Sequence, residues 1–210
     1  MLRFRRSGSF TRFFVEGDPA DVSDAGLLKA LERDRFRPID GSATDEESVG
    51  WITREDPAGA RFRPDSVVTD RGLVFALRID RKRVPATLLR IQAAADLRAA
   101  GAGKPLGRAA RKEIVDEAKR KLVARALPNV AIVDCIWDCR GGVLLAFATS
   151  DGATDHVARQ FRATFRRGLV RATASSVAER LRLPEPARRA LVEASPLDLS
   201  PSRAREEVEA

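Results

Sequence analysis

The chain is 210 residues long, 44% apolar and 32% charged, with 38 Lys and Arg against 30 Asp and Glu for a net charge of +8. That is enough apolar material for a core in one large domain or two small ones, so the chain reads as a soluble globular protein. No run approaches the ~20 apolar residues of a membrane span, and the N-terminus MLRFRRSGSF carries charge without an apolar h-region, making the cytoplasm the expected location.

A strand is predicted over residues 10–15, followed by Ser23 as the N-cap of a helix that carries Leu27, Leu28 and Leu31 to about Arg35. Pro38 and Gly41 close it, and polar residues 41–47 lead to a short strand around Val49, Trp51 and Ile52. After a loop marked by Pro57, Gly59 and Pro64, residues 66–69 and 73–79 are predicted to pair as an antiparallel hairpin around Asp70-Arg71-Gly72. Pro85 suits the first turn of a helix in which Leu88, Leu89, Ile91 and Ala95 recur at helical spacing before Gly101 and Gly103 break it. A second helix over residues 107–127 places Ile114, Ala118 and Leu122 at i, i+4 and i+8, with Val115 beside them. At 1.5 Å per residue it is about 30 Å long. The pair reads as a helical hairpin with the tip Gly101-Ala102-Gly103-Lys104-Pro105.

Strands return after Pro128, at residues 130–137 and 143–148 around the turn Asp138-Cys139-Arg140-Gly141-Gly142. A helix over residues 152–169 puts Val157, Phe161 and Phe165 four apart, a core stripe. Residues 171–210 hold two short helices and end in a segment too poor in apolar residues to fold by itself. The expected fold is α+β: antiparallel sheet or sheets with packed helices and a projecting helical finger. Four parts are expected: residues 1–84, the finger 85–127, a β-hairpin and helix 128–183 completing the body, and a partly disordered tail 184–210. Cys135 and Cys139 stand roughly 13 Å apart along an extended strand, too far for an unstrained disulfide, and read as packing residues in a reducing compartment.

The charge is not spread evenly. The forty-eight residues from Arg78 to Arg125 hold fourteen Lys and Arg against five Asp and Glu, which is +9 and leaves −1 for the rest. A surplus confined to one stretch is the pattern of a polyanion-binding element, and nucleic acid is the expected polyanion. Its placement counts for more than its amount, because 32 of the 38 basic residues are Arg, a skew that a GC-rich genome produces unaided. The candidate contacts are Arg78, Arg81, Lys82 and Arg83 at the end of a strand, Arg90 on the first finger helix and Lys104 at the tip. On the second helix they are Arg108, Arg111, Lys112, Lys119, Arg120, Lys121 and Arg125. Arg108, Lys112 and Lys119 fall within about 40° of one another at one margin of the apolar stripe, Lys121 and Arg125 flank the other, and Glu113, Asp116 and Glu117 take the back. A solvated helix with i, i+4 ion pairs accounts for the same residues equally well.

No aromatic residues are interleaved with these cations and the chain has no Tyr, which disfavours base stacking on single strands. Phosphate contact without sequence readout remains. For catalysis the inventory is thin: no phosphate-cradling glycine loop, a single His156 beside Asp155, and Asp45-Glu46-Glu47 without flanking ligands. No enzyme activity, metal or cofactor is expected.

The order of parts resembles the RdgC family of recombination-associated bacterial DNA-binding proteins. The resemblance runs through Phe36-Arg37-Pro38, Gly50-Trp51, the stretch from Phe75 to Pro85, Gly103-Lys104-Pro105-Leu106-Gly107-Arg108, Asp116-Glu117 and Ala126-Leu127-Pro128. It continues through Ile136-Trp137-Asp138 to Gly142-Val143-Leu144-Leu145. Each motif is short, but their order and spacing extend across roughly residues 1–170. The resemblance implies a non-enzymatic, nucleoid-associated subunit that pairs into a ring around duplex DNA without sequence preference. It also implies a DNA-binding finger at residues 85–127, a homodimer, and a role in restraining RecA-dependent recombination or in replication-fork maintenance, with RecA an indirect partner. Typical members continue beyond the point where this chain stops, and residues 184–210 match nothing in the pattern, so a closed ring and an open clamp are both compatible. The competing classes are an RNA- or ribosome-associated basic protein and, behind it, a small-molecule enzyme.

Overall fold

The computed structural model describes residues 8–21, 25–39, 45–58, 61–70, 72–101 and 106–194. The expected N-cap Ser23, the tip residues 102–105 with Lys104, and residues 195–210 of the tail lie outside the described residues. The chain divides into two units, residues 1–170 and 171–210.

Strands β1 (Thr11–Val15), β2 (Glu47–Ile52), β3 (Gly72–Arg81), β4 (Asn129–Asp138), β5 (Val143–Ala146) and β6 (Leu169–Arg171) form one sheet in the order β2-β3-β4-β5-β1-β6. The pairings β2 with β3, β3 with β4, β4 with β5 and β5 with β1 are antiparallel. The fold is α+β, as the sequence predicts. The register follows from alternation. Leu73, Phe75, Leu77 and Ile79 point to one face, opposite Trp137, Cys135, Val133 and Ala131 of β4, while Trp51 lies opposite Leu77.

Helices α1 (Ala25–Arg33) and α5 (Asp151–Phe165) cover that face. Val157 and Phe161 of α5 and Leu31 of α1 are fully buried. Phe161 and Phe165 pack on Trp137 with ring centroids 5.0 and 4.9 Å away, and Trp51 meets Phe75 edge-on at 4.9 Å. The Trp51 indole N–H donates to the Thr164 hydroxyl at 2.8 Å. On the opposite face a smaller cluster of Phe36, Ile52 and Ala76 is built where residues 34–36 run alongside β2. There the Phe36 N–H donates to the Trp51 carbonyl at 2.8 Å and the Trp51 N–H to the Asp34 carbonyl at 3.1 Å.

Two local expectations are corrected. Residues 64–67 are a short helix, α2 (Pro64–Val67), so the hairpin partner of β3 shrinks to one bridge between Val68 and Leu73. Pro64 sets the first helical φ, which competes with extension there. The helix predicted to reach residue 169 stops at Phe165, because Arg166 turns left-handed (φ 57°) and the chain then enters β6.

The next two helices pack on each other rather than on the sheet: α3 (Ala86–Ala100) and α4 (Arg108–Arg125). In the second unit, α6 (Ala174–Arg180) begins with a capping box between Thr173 and Ser176. The last helix, α7 (Glu185–Glu193), buries none of its side chains. Residues expected to be a tail thus include a helix as far as Glu193.

Candidate nucleic-acid interface

β3 delivers the chain to the foot of the α3/α4 hairpin, and β4 receives it back: Arg81 lies opposite Asn129 in the ladder. Pro85 precedes α3 with φ −58°, and the hairpin is held by a thin seam in which Ala93, Ala118 and Val123 are the buried residues. A seam of that size leaves most of each helix to solvent. Over its 18 residues α4 is about 27 Å long.

The thirteen candidate cations separate by environment. Arg78 is taken up inside the body, a correction to its reading as a phosphate contact. Its guanidinium pairs bidentately with the buried Asp80 carboxylate at 2.8 Å, lies 4.2 Å over the Phe36 ring and donates to the Pro57 carbonyl. Removing it would leave Asp80 as an uncompensated buried charge. Lys82, 5% exposed, is likewise withdrawn from the surface. Arg81 is half-buried against Glu47 and His156. Lys119 pairs with Glu46, tying α4 to the start of β2. Arg120 and Lys121 share Glu117 at 2.6 and 3.8 Å, surface pairs that hold their cations weakly. Arg111 donates to the Leu106 carbonyl at 3.0 Å and so steadies the start of α4. Arg83, Arg90, Arg108, Lys112 and Arg125 are exposed. They have no acidic partner among the described residues. These five are the cations best placed to meet phosphates.

The single histidine is not on the surface. His156 is 7% exposed, with Arg81 and Arg159 at its two ring nitrogens, the latter at 3.3 Å, and Glu47 3.6 Å from Nε2. Burial pushes its pKa below the ordinary value, and the two guanidiniums act in the same direction against the opposing pull of Glu47 and Asp155. The unfolded chain therefore takes up a proton more readily than the folded one. Stability attributable to His156 is fully present above its unfolded value of about 6.5 and is lost as pH falls from there through the folded pKa. Urea unfolding at several pH values between about 7.5 and 5 should show wild type losing stability relative to His156→Gln on acidification. A relative gain would contradict this placement of the imidazole.

Neither cysteine is activated as a nucleophile. Cys135 and Cys139 are buried and unpaired; burial drives the first thiol far above its usual range and the second up to about 11. Among the described residues no group of three or more His, Cys, Asp or Glu is arranged to hold a metal ion, and no helix is long and apolar enough to cross a membrane.

Residues 11–183 match the family model described as "Putative exonuclease, RdgC". No curated protein matches the chain. A single family model thus spans the sheet, the basic hairpin and α6, and the chain belongs to the RdgC family.

Proposed function

We propose that the protein binds double-stranded DNA through the phosphate backbone, without reading sequence, and modulates RecA-dependent recombination or replication-fork maintenance as a homodimer. Family membership makes it a recombination-associated protein. The observation that carries the finer reading is the hairpin itself: two helices with Ala93, Ala118 and Val123 buried between them, bearing the exposed cations Arg90, Arg108, Lys112 and Arg125, with Arg83 just before their foot. Leu89, Leu97, Ile114 and Leu122 are only half-buried beside that seam, and the outer faces of both helices are exposed. Cations on one slender element can follow a groove margin and contact phosphates whatever the base sequence. The dimer is supported by an apolar patch at the hairpin's foot, where Leu127 is 90% exposed and Val130 and Ile132 each 46%. The reading is of a binder rather than an enzyme: end-labelled duplex incubated with Mg²⁺ should stay intact, and release of nucleotides would instead support the exonuclease of the family description.

Substitution tests the location. Replacing Arg90, Arg108, Lys112 and Arg125 with Ala should weaken duplex binding by about a hundredfold near physiological salt and lower the salt slope by roughly 3 to 4, near one per phosphate contact. Replacing Arg61, Arg63, Arg140 and Arg188, which removes the same charge elsewhere, should do much less. Equal losses from both sets would reduce the effect to bulk charge. Tighter binding to structured RNA than to duplex DNA would favour the RNA-associated class instead.

A further inference from the structure

A second concentration of arginine lies far from the hairpin. Arg159 and Arg162 lie three apart on the exposed face of α5, opposite the Val157 and Phe161 stripe that packs into the core, and Arg166, also exposed, is the residue that ends the helix. They span about 10 Å along the helix axis. Arg167 follows at once, and Arg162, Arg166 and Arg167 line a cleft of about 530 Å³ beside Phe165. Glu16 and Asp18 also line it, and the Asp18 carbonyl accepts from Arg167. Asp34 lies near enough to Arg166 to feel its charge, but its carboxylate is already held by two hydrogen bonds from Arg33 at 2.9 and 3.0 Å. None of Arg159, Arg162, Arg166 and Arg167 forms an ion pair among the described residues.

The placement of Arg166 is informative. It stands at the left-handed position that ends α5, φ 57°, where glycine is the residue that fits without strain. Holding a side chain there costs on the order of 1 kcal/mol. The helix dipole favours a cation in the last turn, but Arg162 already supplies one, and the dipole gives no reason for a second at the strained position. Arg166 and Arg167, consecutive in the chain, both line the cleft, Arg166 exposed and Arg167 half-buried.

The sheet sets the distance to the hairpin. His156 touches Arg81 at the hairpin's foot, and from there α5 runs ten residues, about 15 Å, to Arg166. The chain leaving α5 meets the far end of β1, where the Glu16 N–H donates to the Gly168 carbonyl at 3.0 Å. Arg166 and the hairpin therefore sit at opposite ends of the strands. That exceeds the screening length of about 8 Å at physiological salt, so the two groups of cations act independently.

From this geometry we infer that the arginine face of α5 is a second phosphate-binding surface, able to hold duplex DNA at the end of the sheet opposite the hairpin. A fork of guanidinium donors suits phosphate oxygens bidentately, and Arg159, Arg162 and the helix-ending Arg166 present such forks at successive heights along α5 and its end.

The test uses the full-length protein in four forms: wild type; Arg162→Ala with Arg166→Gly; the hairpin variant described above; and the two combined. Arg166→Gly relieves the left-handed strain, so the α5 variant should melt no lower than wild type. Its duplex affinity near physiological salt should nevertheless fall about tenfold or more, with a salt slope smaller by roughly 2, and the combined variant should lose binding beyond the hairpin variant alone. If the α5 variant binds as wild type does in both backgrounds while the hairpin variant loses binding, the second surface is wrong and the hairpin reading stands. If only the α5 variant loses binding, the hairpin reading falls and the α5 surface stands.

Discussion

Trp51→Ala should unfold the protein at ordinary growth temperature. The side chain is wholly buried, packs edge-on against Phe75 at 4.9 Å and also contacts Phe165. Truncating a buried Trp or Phe costs about 3–5 kcal/mol through lost transfer energy and the cavity left behind. The indole N–H also donates to the buried Thr164 hydroxyl at 2.8 Å, a hydrogen bond the truncation removes at a further cost of about 1 kcal/mol, the hydroxyl keeping its bond to Asp34. The sum is comparable to the whole stability of a typical domain, about 5–15 kcal/mol. Trp51→Phe keeps most of the volume and should lose less, about 2–3 kcal/mol, leaving a folded protein. Denaturant unfolding of the two variants checks the order, and a well-folded Trp51→Ala protein would contradict this description of the core.

Gly50→Ala is the second large effect, and its size comes from backbone rather than side chains. A Cβ at Gly50 would lie 2.4 Å from the Phe36 Cα, 2.5 Å from the Phe36 nitrogen and 2.7 Å from the Arg35 carbonyl carbon. Backbone cannot swing aside as a side-chain tip can. Residues 34–36 would have to lift from β2, breaking the two hydrogen bonds that Trp51 exchanges with them and uncovering Phe36, Ile52 and Ala76. The expected loss is about 3 kcal/mol or more. Gly152→Ala makes the same chemical change in the first turn of α5, where a Cβ meets nothing within 4 Å, and should stabilise by about 0.5–1 kcal/mol. Opposite signs for one substitution type would locate the effect in the close approach. A neutral Gly50→Ala would mean that residues 34–36 do not lie against β2.

Elements whose signal is local were legible in the chain. The spacing of Val157, Phe161 and Phe165 marks the buried face of α5, and Pro85 with the later glycines marks the ends of the hairpin helices. What long-range packing decides was not legible. Strand alternation sends Arg78 to the face opposite Leu77 and Ile79. Only the arrival of Phe36 and Pro57 over that face turns it from a surface cation into a buried partner of Asp80. The partner of His156 was not legible either, because Arg81, 75 positions away, is invisible to helical spacing. The arginines of α5 carried a signal that segment charge obscured: Asp151 and Asp155 on the same helix offset them, whereas the i, i+3, i+7 spacing of Arg159, Arg162 and Arg166 was there to be read. Residues 64–67 went the other way, since Pro64 starts a turn of helix that β-propensity alone does not foresee.

The central claim is that phosphate contact, and not base reading, holds this protein on duplex DNA. The most direct measurement is the binding constant of the full chain against salt concentration for two unrelated duplexes of equal length. The expected result is two parallel lines of log affinity against log salt, with a slope of roughly −4 to −7 set by the unpaired cations and affinities agreeing within a few-fold. A shallow slope, or a preference of about tenfold or more for one sequence, would contradict it.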